Sequence, residues 1–254
     1  MKGKKMEVKD LIETLAVIPA RYGSTRLPAK PLMEIGGVPL VIRVLRNALR
    51  CRGVDRTLVA TDDDRIASVV EDWGGEAMMT PKDLPSGGDR VAYVAERIES
   101  RYVLNIQGDD PLVGPEMVDP LMEALKSDPS VPLAVLAKRI ERPEEIDSPD
   151  IVKMVFDKRG NALYFSRSPI PYRRVGEAAC YKHIGPYAYR RDFLLRFSSW
   201  DQTELERSES LEMLRVLERG YPIRCVETYR DTIEIDTMED VKSLERYLQE
   251  VEDE

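Results

Sequence analysis

Leu15-Ala-Val-Ile-Pro-Ala-Arg-Tyr-Gly-Ser-Thr-Arg-Leu-Pro-Ala-Lys-Pro-Leu32 decides the fold. Leu15 to Ile18 is an apolar, β-branched run short enough to be a buried strand. Pro19 ends it, and the chain enters a loop with a glycine, small hydroxyls, arginines and a lysine. Helical periodicity resumes near Pro39, where Leu40, Val41, Val44, Leu45, Ala48 and Leu49 fall on one face. A strand, a cationic loop and then a helix is what a polyphosphate site at the edge of a parallel sheet needs. Gly23 lets backbone approach a ligand closely. Arg21 and Arg26 offer forked donors and Lys30 a point charge, while Pro28 and Pro31 limit the loop's freedom. Taken singly, these residues read as solvated surface or a turn. Placed together after a first buried strand, they point to a nucleotide-phosphate loop that is neither a P-loop nor a dinucleotide fingerprint.

Composition bounds the rest. A chain of 254 residues fits one large α/β domain, or one domain with a small appendage. It is 43% hydrophobic and 33% charged, with no apolar run approaching a membrane span, as expected of a protein that works without a membrane. The basic stretch Met1 to Lys9 lacks the apolar core of a signal peptide, so residues 1–13 read as an N-terminal extension. Cys51, Cys180 and Cys225 are widely spaced and odd in number, which favours a reducing cytoplasm over a disulfide framework or zinc site. A net charge of −8 argues against nucleic acid as partner, yet leaves room for an anionic small substrate in a locally positive cleft.

Further along, Thr57 to Thr61 reads as a second buried strand. Asp62-Asp63-Asp64 then caps a helix over Arg65 to Trp73, a better reading than a metal site. Gly74-Gly75 ends that helix, and Glu76 to Met79 forms a short strand. Ser86-Gly-Gly-Asp-Arg90 opens another helix, whose apolar positions are Val91, Val94, Ala95 and Ile98. Arg90 sits against the dipole of its first turn, which suggests a ligand. Tyr102 to Ile106 is a central strand with Gln107, Asp109 and Asp110 at its carboxyl end, where open parallel sheets bind ligands. Two carboxylates there suit a hard divalent cation, or equally a capped turn before a helix at Pro115 to Lys126.

The repeated strand–loop–helix order implies a mostly parallel, Rossmann-like sheet flanked by helices. Over residues 131–200 the pattern changes. Val131 to Arg139, Ile151 to Phe156, Ala162 to Phe165 and Ile184 to Tyr189 are strand candidates with few helices between them, implying a mixed or antiparallel excursion that contributes a dimer surface. Helices return at Leu205 to Arg219 and Glu239 to Val251, with strands expected at Ile223 to Val226 and Thr232 to Ile235. Residues 14–254 are expected to form one domain.

Residues 19 to 32 resemble the N-terminal signature of the 3-deoxy-manno-octulosonate (Kdo) cytidylyltransferases. The resemblance continues in order through Val59-Ala-Thr-Asp62, Ser86-Gly-Gly-Asp-Arg90, Asn105-Ile-Gln-Gly-Asp-Asp-Pro111 and Val152-Lys-Met-Val155. It ends with Ala162-Leu-Tyr-Phe-Ser-Arg167, Lys182-His-Ile-Gly-Pro-Tyr-Ala-Tyr189, Leu211-Glu-Met-Leu-Arg215 and Asp236-Thr-Met-Glu-Asp240. It implies a GT-A-like nucleotidyltransferase fold, a homodimer, and coupling of CTP to an octulosonic acid sugar with release of pyrophosphate. It further implies Mg²⁺ on Asp109 and Asp236, with Lys30 and Arg26 as catalytic cations. CTP contacts are implied at Ala20, Arg21, Gly23, Ser24, Arg26, Lys30, Thr80, Ser86, Arg90 and Gln107. Sugar contacts are implied at Gln107, Arg167, His183, Tyr187, Glu209, Glu212 and Glu234.

Some positions depart from that pattern. Gly88 stands where threonine is usual, Asp110 where glutamate is usual, and Thr232-Ile-Glu-Ile-Asp236 where the Kdo enzymes carry Gly-Val before the aspartate. The last resembles relatives that activate the 8-amino-3,8-dideoxy sugar, for whose ammonium Glu234 offers a carboxylate; Glu234 also reads as an ordinary exposed residue. The sequence also leaves open a sialic-acid-type cytidylyltransferase and a non-catalytic nucleotide-sugar binding protein.

Overall fold

A computed structural model describes residues 12–23, 27–176 and 178–252. Ser24, Thr25 and Arg26, with most of the expected N-terminal extension, lie outside them. In chain order the strands are β1 (Ile12–Ala20), β2 (Glu34–Ile35), β3 (Val38–Pro39), β4 (Arg56–Thr61), β5 (Ala77–Met79), β6 (Ser100–Asn105), β7 (Leu133–Arg139), β8 (Lys153–Phe156), β9 (Ala162–Ser166), β10 (Tyr181–Arg190) and β11 (Ile223–Thr228). The helices are α1 (Leu40–Ala48), α2 (Asp64–Asp72), α3 (Gly87–Arg97), α4 (Pro115–Ser127), α5 (Glu144–Asp147), α6 (Arg191–Ser198), α7 (Glu204–Glu209), α8 (Glu212–Glu218) and α9 (Met238–Glu252).

The main sheet runs β11-β7-β10-β6-β1-β4-β5. β1 pairs in parallel with β4 and β6, β4 with β5, and β7 with β11. Leu15 to Ile18 are fully buried because both faces of β1 are covered. Ala16 and Ile18 join a core with α1 and α4; Leu15 and Val17 join another with α3, α6 and α8. This alternation across the sheet makes three layers, and each such fully buried aliphatic side chain contributes about 1.5–3 kcal/mol.

β10 is the antiparallel member, set between β6 and β7. Its later half pairs with β6, ending at Tyr187 opposite Asn105; its start pairs with β8, ending at Lys182 opposite Lys153. The His183 amide still donates to the Val152 carbonyl at 2.8 Å, so the ladder on this side is interrupted from Ile184 to Pro186. The register against β7 also shifts there. β8 and β9 form the small antiparallel addition.

Two expectations need correction. Thr232 to Ile235 is not a strand: its apolar alternation instead buries Ile235 against Leu27, Ile35, Val241 and Leu244, and its link to the sheet end is one bond from the Ile235 amide to the Asp109 carbonyl (2.9 Å). The helix expected over Leu205 to Arg219 is broken at Ser210, which adopts φ 55. A helix, α6, follows β10 directly, in a section where the sequence pattern leaves room for few helices.

Candidate active site

The carboxyl ends of β1 and β6 lie side by side and open into a cleft of about 1000 Å³. It is lined by Pro19, Ser86, Gly87, Gly88, Asn105 and Gln107 around the ends of β1 and β6 and the head of α3, and by Phe165, Arg167, His183, Tyr187 and Glu212 around β9, β10 and α8. Asp231 to Glu234 and Asp236 complete the rim. Ile184 and Gly185, in the interruption of the ladder beside β10, also line the cleft.

The cationic loop is closed at its base. The Ala29 amide donates to the Tyr22 carbonyl (3.3 Å), and the Tyr22 amide donates to Asp62 at the end of β4 (3.4 Å). Arg65 lies 3.5 Å above the Tyr22 ring. Asp63 caps α2 by accepting from the Arg65 amide, so the aspartate triplet serves helix and loop rather than a metal. Ala20, exposed Arg21 and Gly23 lead into the loop. At its far end Lys30 begins a 3₁₀ turn over Lys30–Leu32.

Lys30 Nζ donates to Asp109 Oδ2 at 2.7 Å and to Asp236 Oδ1 at 3.0 Å. Residues far apart in the chain thus meet at one cation. Burial lowers the affinity of the Lys30 amine for its proton, but the flanking Asp109 and Asp236 outweigh this and raise its pKa above the ordinary value. The backbone places the pair: Asp109 follows β6, and Asp236 is carried by Ile235, which is buried under α9. Gly108 permits the turn, since a β-carbon there would lie 2.5 Å from the Pro19 carbonyl oxygen.

Asp110 takes no part in this pair. Its side chain is fully buried, and burial, reinforced by Glu234 and Asp109, pushes its carboxyl well above the usual range. The carboxylate partner of Asp109 is therefore Asp236 and not its chain neighbour. Glu234 stays open to solvent on the cleft rim, yet partial enclosure and the charges of Asp109 and Asp236 push its carboxyl up to about 7.

The two carboxylates fit a hard divalent cation: they already hold an ammonium, and both donors are oxygens. Among the described residues no three His, Cys, Asp or Glu side chains converge as a closed metal cage. Such an ion would need further oxygens from substrate and water.

Around β9 and β10 the His183 ring meets Phe165 and Tyr187 edge-on, at 5.2 and 5.3 Å between centroids. Burial lowers the His183 pKa to about 4, so its imidazole is neutral near pH 7. Burial also raises the Tyr187 hydroxyl and the Glu212 carboxyl above their ordinary values. Gly88, standing where threonine is usual, leaves space for Glu212: an added β-carbon would lie 3.4 Å from Glu212 Oε2. The Ser86 hydroxyl accepts from the Asp89 amide at 3.1 Å, completing a capping box at the head of α3 while lining the cleft.

Several expected contacts are placed elsewhere. Arg90 is fully buried, donating to the Thr80 hydroxyl and to Asp62 Oδ2 (3.1 Å), and Thr80 in turn donates to the Thr61 carbonyl (2.9 Å). Asp62, not a ligand, compensates the arginine that opposes its helix dipole; Arg90 and Thr80 support the loop from behind. Glu209 likewise faces protein: it accepts from Ser166 Oγ (2.6 Å) and the Arg167 amide (2.8 Å), while its carbonyl accepts from Arg167 Nε (2.9 Å). Glu209 aims Arg167, which lines the cleft.

Sequence reasoning missed Lys153. This fully buried lysine donates to the carbonyls of Ser148 and Ile151, both at 2.7 Å, and to that of Arg167. Its signal was a lysine inside an apolar strand segment. Also missed was Lys182, which joins Glu145 (3.1 Å) to Asp231 (2.9 Å) along the cleft's outer end.

A family model described as cytidylyltransferase matches residues 15–234. The 3-deoxy-manno-octulosonate cytidylyltransferase of Syntrophotalea carbinolica is 45% identical over 92% of this chain and 97% of its own length. That of Geobacter sulfurreducens is 45% identical over 90% of this chain and 96% of its own. A solved CMP:2-keto-3-deoxy-manno-octonic acid synthetase, complexed with CTP, superposes with a TM-score of 0.90 at 41% identity, covering 94% of this chain and 99% of that one.

Proposed function

The chain belongs to the cytidylyltransferase family, among the 3-deoxy-manno-octulosonate enzymes, and from this premise we propose how its cleft joins CTP to Kdo for lipopolysaccharide biosynthesis. The reaction is attack by the sugar's anomeric hydroxyl on the α-phosphorus of CTP, giving the CMP-sugar and pyrophosphate. Charge spreads over non-bridging oxygens in such a transfer, so positioning and cations supply most of the catalysis.

The observation that carries this reading is Lys30 held by Asp109, which follows β6, and by Asp236, which lines the cleft together with His183 and Tyr187. The phosphate loop (Arg21, Gly23, Ser24, Arg26 and Lys30) cradles the triphosphate, with Gln107 between nucleotide and sugar. Arg167, His183, Tyr187 and Glu212 orient the sugar. Asp109 and Asp236 would hold Mg²⁺, which offsets negative charge developing on phosphate and acidifies a bound hydroxyl. Neutral His183 then acts as a hydrogen-bonding wall, not as the base.

Residues 14–254 act as one domain in this proposal. Exposed Leu163, Tyr172 and Val175, on β9 and the segment after it, support self-association into a homodimer, which sedimentation velocity tests. Three buried free cysteines support a cytoplasmic setting. Among the described residues no helix is long and apolar enough to cross a membrane.

The deciding assay supplies CTP, Mg²⁺ and either Kdo or its 8-amino analogue and measures pyrophosphate. The second sugar is included because Glu234 puts a carboxylate on the rim. Release with Kdo is expected; no release with any acid sugar would overturn the proposal.

A further inference from the structure

Lys30 contacts the same two carboxylates that the proposed function assigns to Mg²⁺, and it contacts both at once: 2.7 Å to Asp109 and 3.0 Å to Asp236. The arrangement is well enclosed, with 14% of the lysine side chain exposed against 29% and 30% for the two aspartates. Charge-assisted bonds of this kind are about twice as strong as neutral ones. They also relieve the repulsion between two carboxylates placed close together.

A magnesium ion takes its oxygens at about 2.0–2.1 Å. On these carboxylates it would sit nearer their oxygens than the ammonium does, and at that range the two cations repel one another. The backbone under Lys30 is pinned, because its amide donates to the Leu27 carbonyl (3.2 Å) and Pro31 is buried. Only the flexible stem of the lysine can give way. Its other anionic partner in this cleft is a triphosphate on the loop that Lys30 terminates.

We propose that Lys30 is a resident cation that guards the Asp109–Asp236 pair, and that binding of the nucleotide triphosphate draws its ammonium away and so opens the pair to the metal. The inference rests on the metal assignment made above. Nucleotide and metal then bind with positive coupling, and by reciprocity each strengthens the other. The device keeps the site from filling with a divalent ion when no nucleotide is present.

The test is direct binding of Mn²⁺ to the whole protein without nucleotide, read from the electron paramagnetic resonance of free Mn²⁺. Lys30→Met and Lys30→Gln should each bind Mn²⁺ about ten-fold or more tightly than the parent, whereas Lys30→Arg, which keeps the charge, should not. Adding Asp236→Asn to Lys30→Met should remove the gain, and Arg21→Met, which deletes a nearby charge outside the bridge, should produce little of it. Circular dichroism establishes that each variant is folded, and the glutamine variant retains hydrogen bonding should the methionine one unfold. Equal Mn²⁺ affinity in parent, Met and Gln variants, with dependence on Asp236 kept, would overturn the guarding role and leave the metal assignment standing. An absence of any Asp236-dependent Mn²⁺ binding, with CTP added as well as without it, would overturn both.

Discussion

The carbonyl oxygen of Pro19, at the end of β1, stands 2.5 Å from where a β-carbon on Gly108 would be. The two strand ends therefore approach as closely as backbone allows, and Asp109 is the next residue along. Gly108→Ala should push the β6 turn away from β1 and move Asp109 off Lys30. We expect kcat to fall about 100-fold and stability by about 1–3 kcal/mol, the usual cost of overpacking. Steady-state kinetics with a urea melt checks both.

Asp109→Asn and Asp236→Asn each remove one of the two carboxylates that hold Lys30 without changing its volume. Turnover should drop about 100-fold or more while the far-ultraviolet spectrum stays native. Retention of activity in either variant would remove that residue from the catalytic set.

Lys153 organises the wall that carries Arg167 without lining the cleft itself. Lys153→Met strands three inward carbonyls, so the sugar side should loosen while the nucleotide side, on β1 and β6, does not. The KM for sugar should rise about ten-fold with the KM for CTP changed less than about two-fold. A parallel rise in both would make Lys153 merely structural.

Arg215 binds the buried carboxylate of Glu206 through Nε at 2.7 Å and through Nη2, and it lies 4.6 Å over the Phe197 ring. Arg215→Met leaves Glu206 charged and unpaired. The loss should be about 3–5 kcal/mol, with a smaller loss in the Arg215→Met, Glu206→Leu double variant. Chemical denaturation of the four proteins measures the coupling.

His183 gives the clearest pH signature. Burial lowers its pKa from 6.5 to about 4, so the unfolded chain binds more protons than the folded one between those values. Stability is then fullest above pH 6.5 and declines as pH falls toward 4, by up to about 3 kcal/mol, and by less where cleft water reaches the ring. His183→Gln should flatten denaturation midpoints over that window only.

What could be read from the chain alone followed from local periodicity. The run from Leu15 to Ile18 declared β1, and the residues from Tyr102 to Gln107 declared β6 and its ligand-facing end, because full burial leaves continuous apolar runs. Asp236 was reached only through resemblance: nothing in Thr232 to Ile235 distinguishes a strand from a segment held by Ile235 under α9. Arg90 misled for a physical reason. Its unfavourable place in a helix's first turn is compensated by Asp62, and a contact over that separation leaves no mark on local pattern. The break at Ser210 was invisible in the same way, while the adjoining Glu209 is bound to β9 and Arg167. Long-range polar partners decide such details, and periodicity carries none of them.

The change of partner along β10 divides the labour of the molecule. One side of the cleft is built on strands that belong to the first half of the chain, the other on a hairpin that pairs with the start of β10 through Tyr181 with Met154 and Lys182 with Lys153, and whose turn bridges Asn161 to Arg224 of β11. Selection for a different acceptor could rewrite β8, β9 and the loops around them while leaving the phosphate machinery intact, so that new sugar chemistry would arise by exchange of one module rather than by redesign of the whole enzyme.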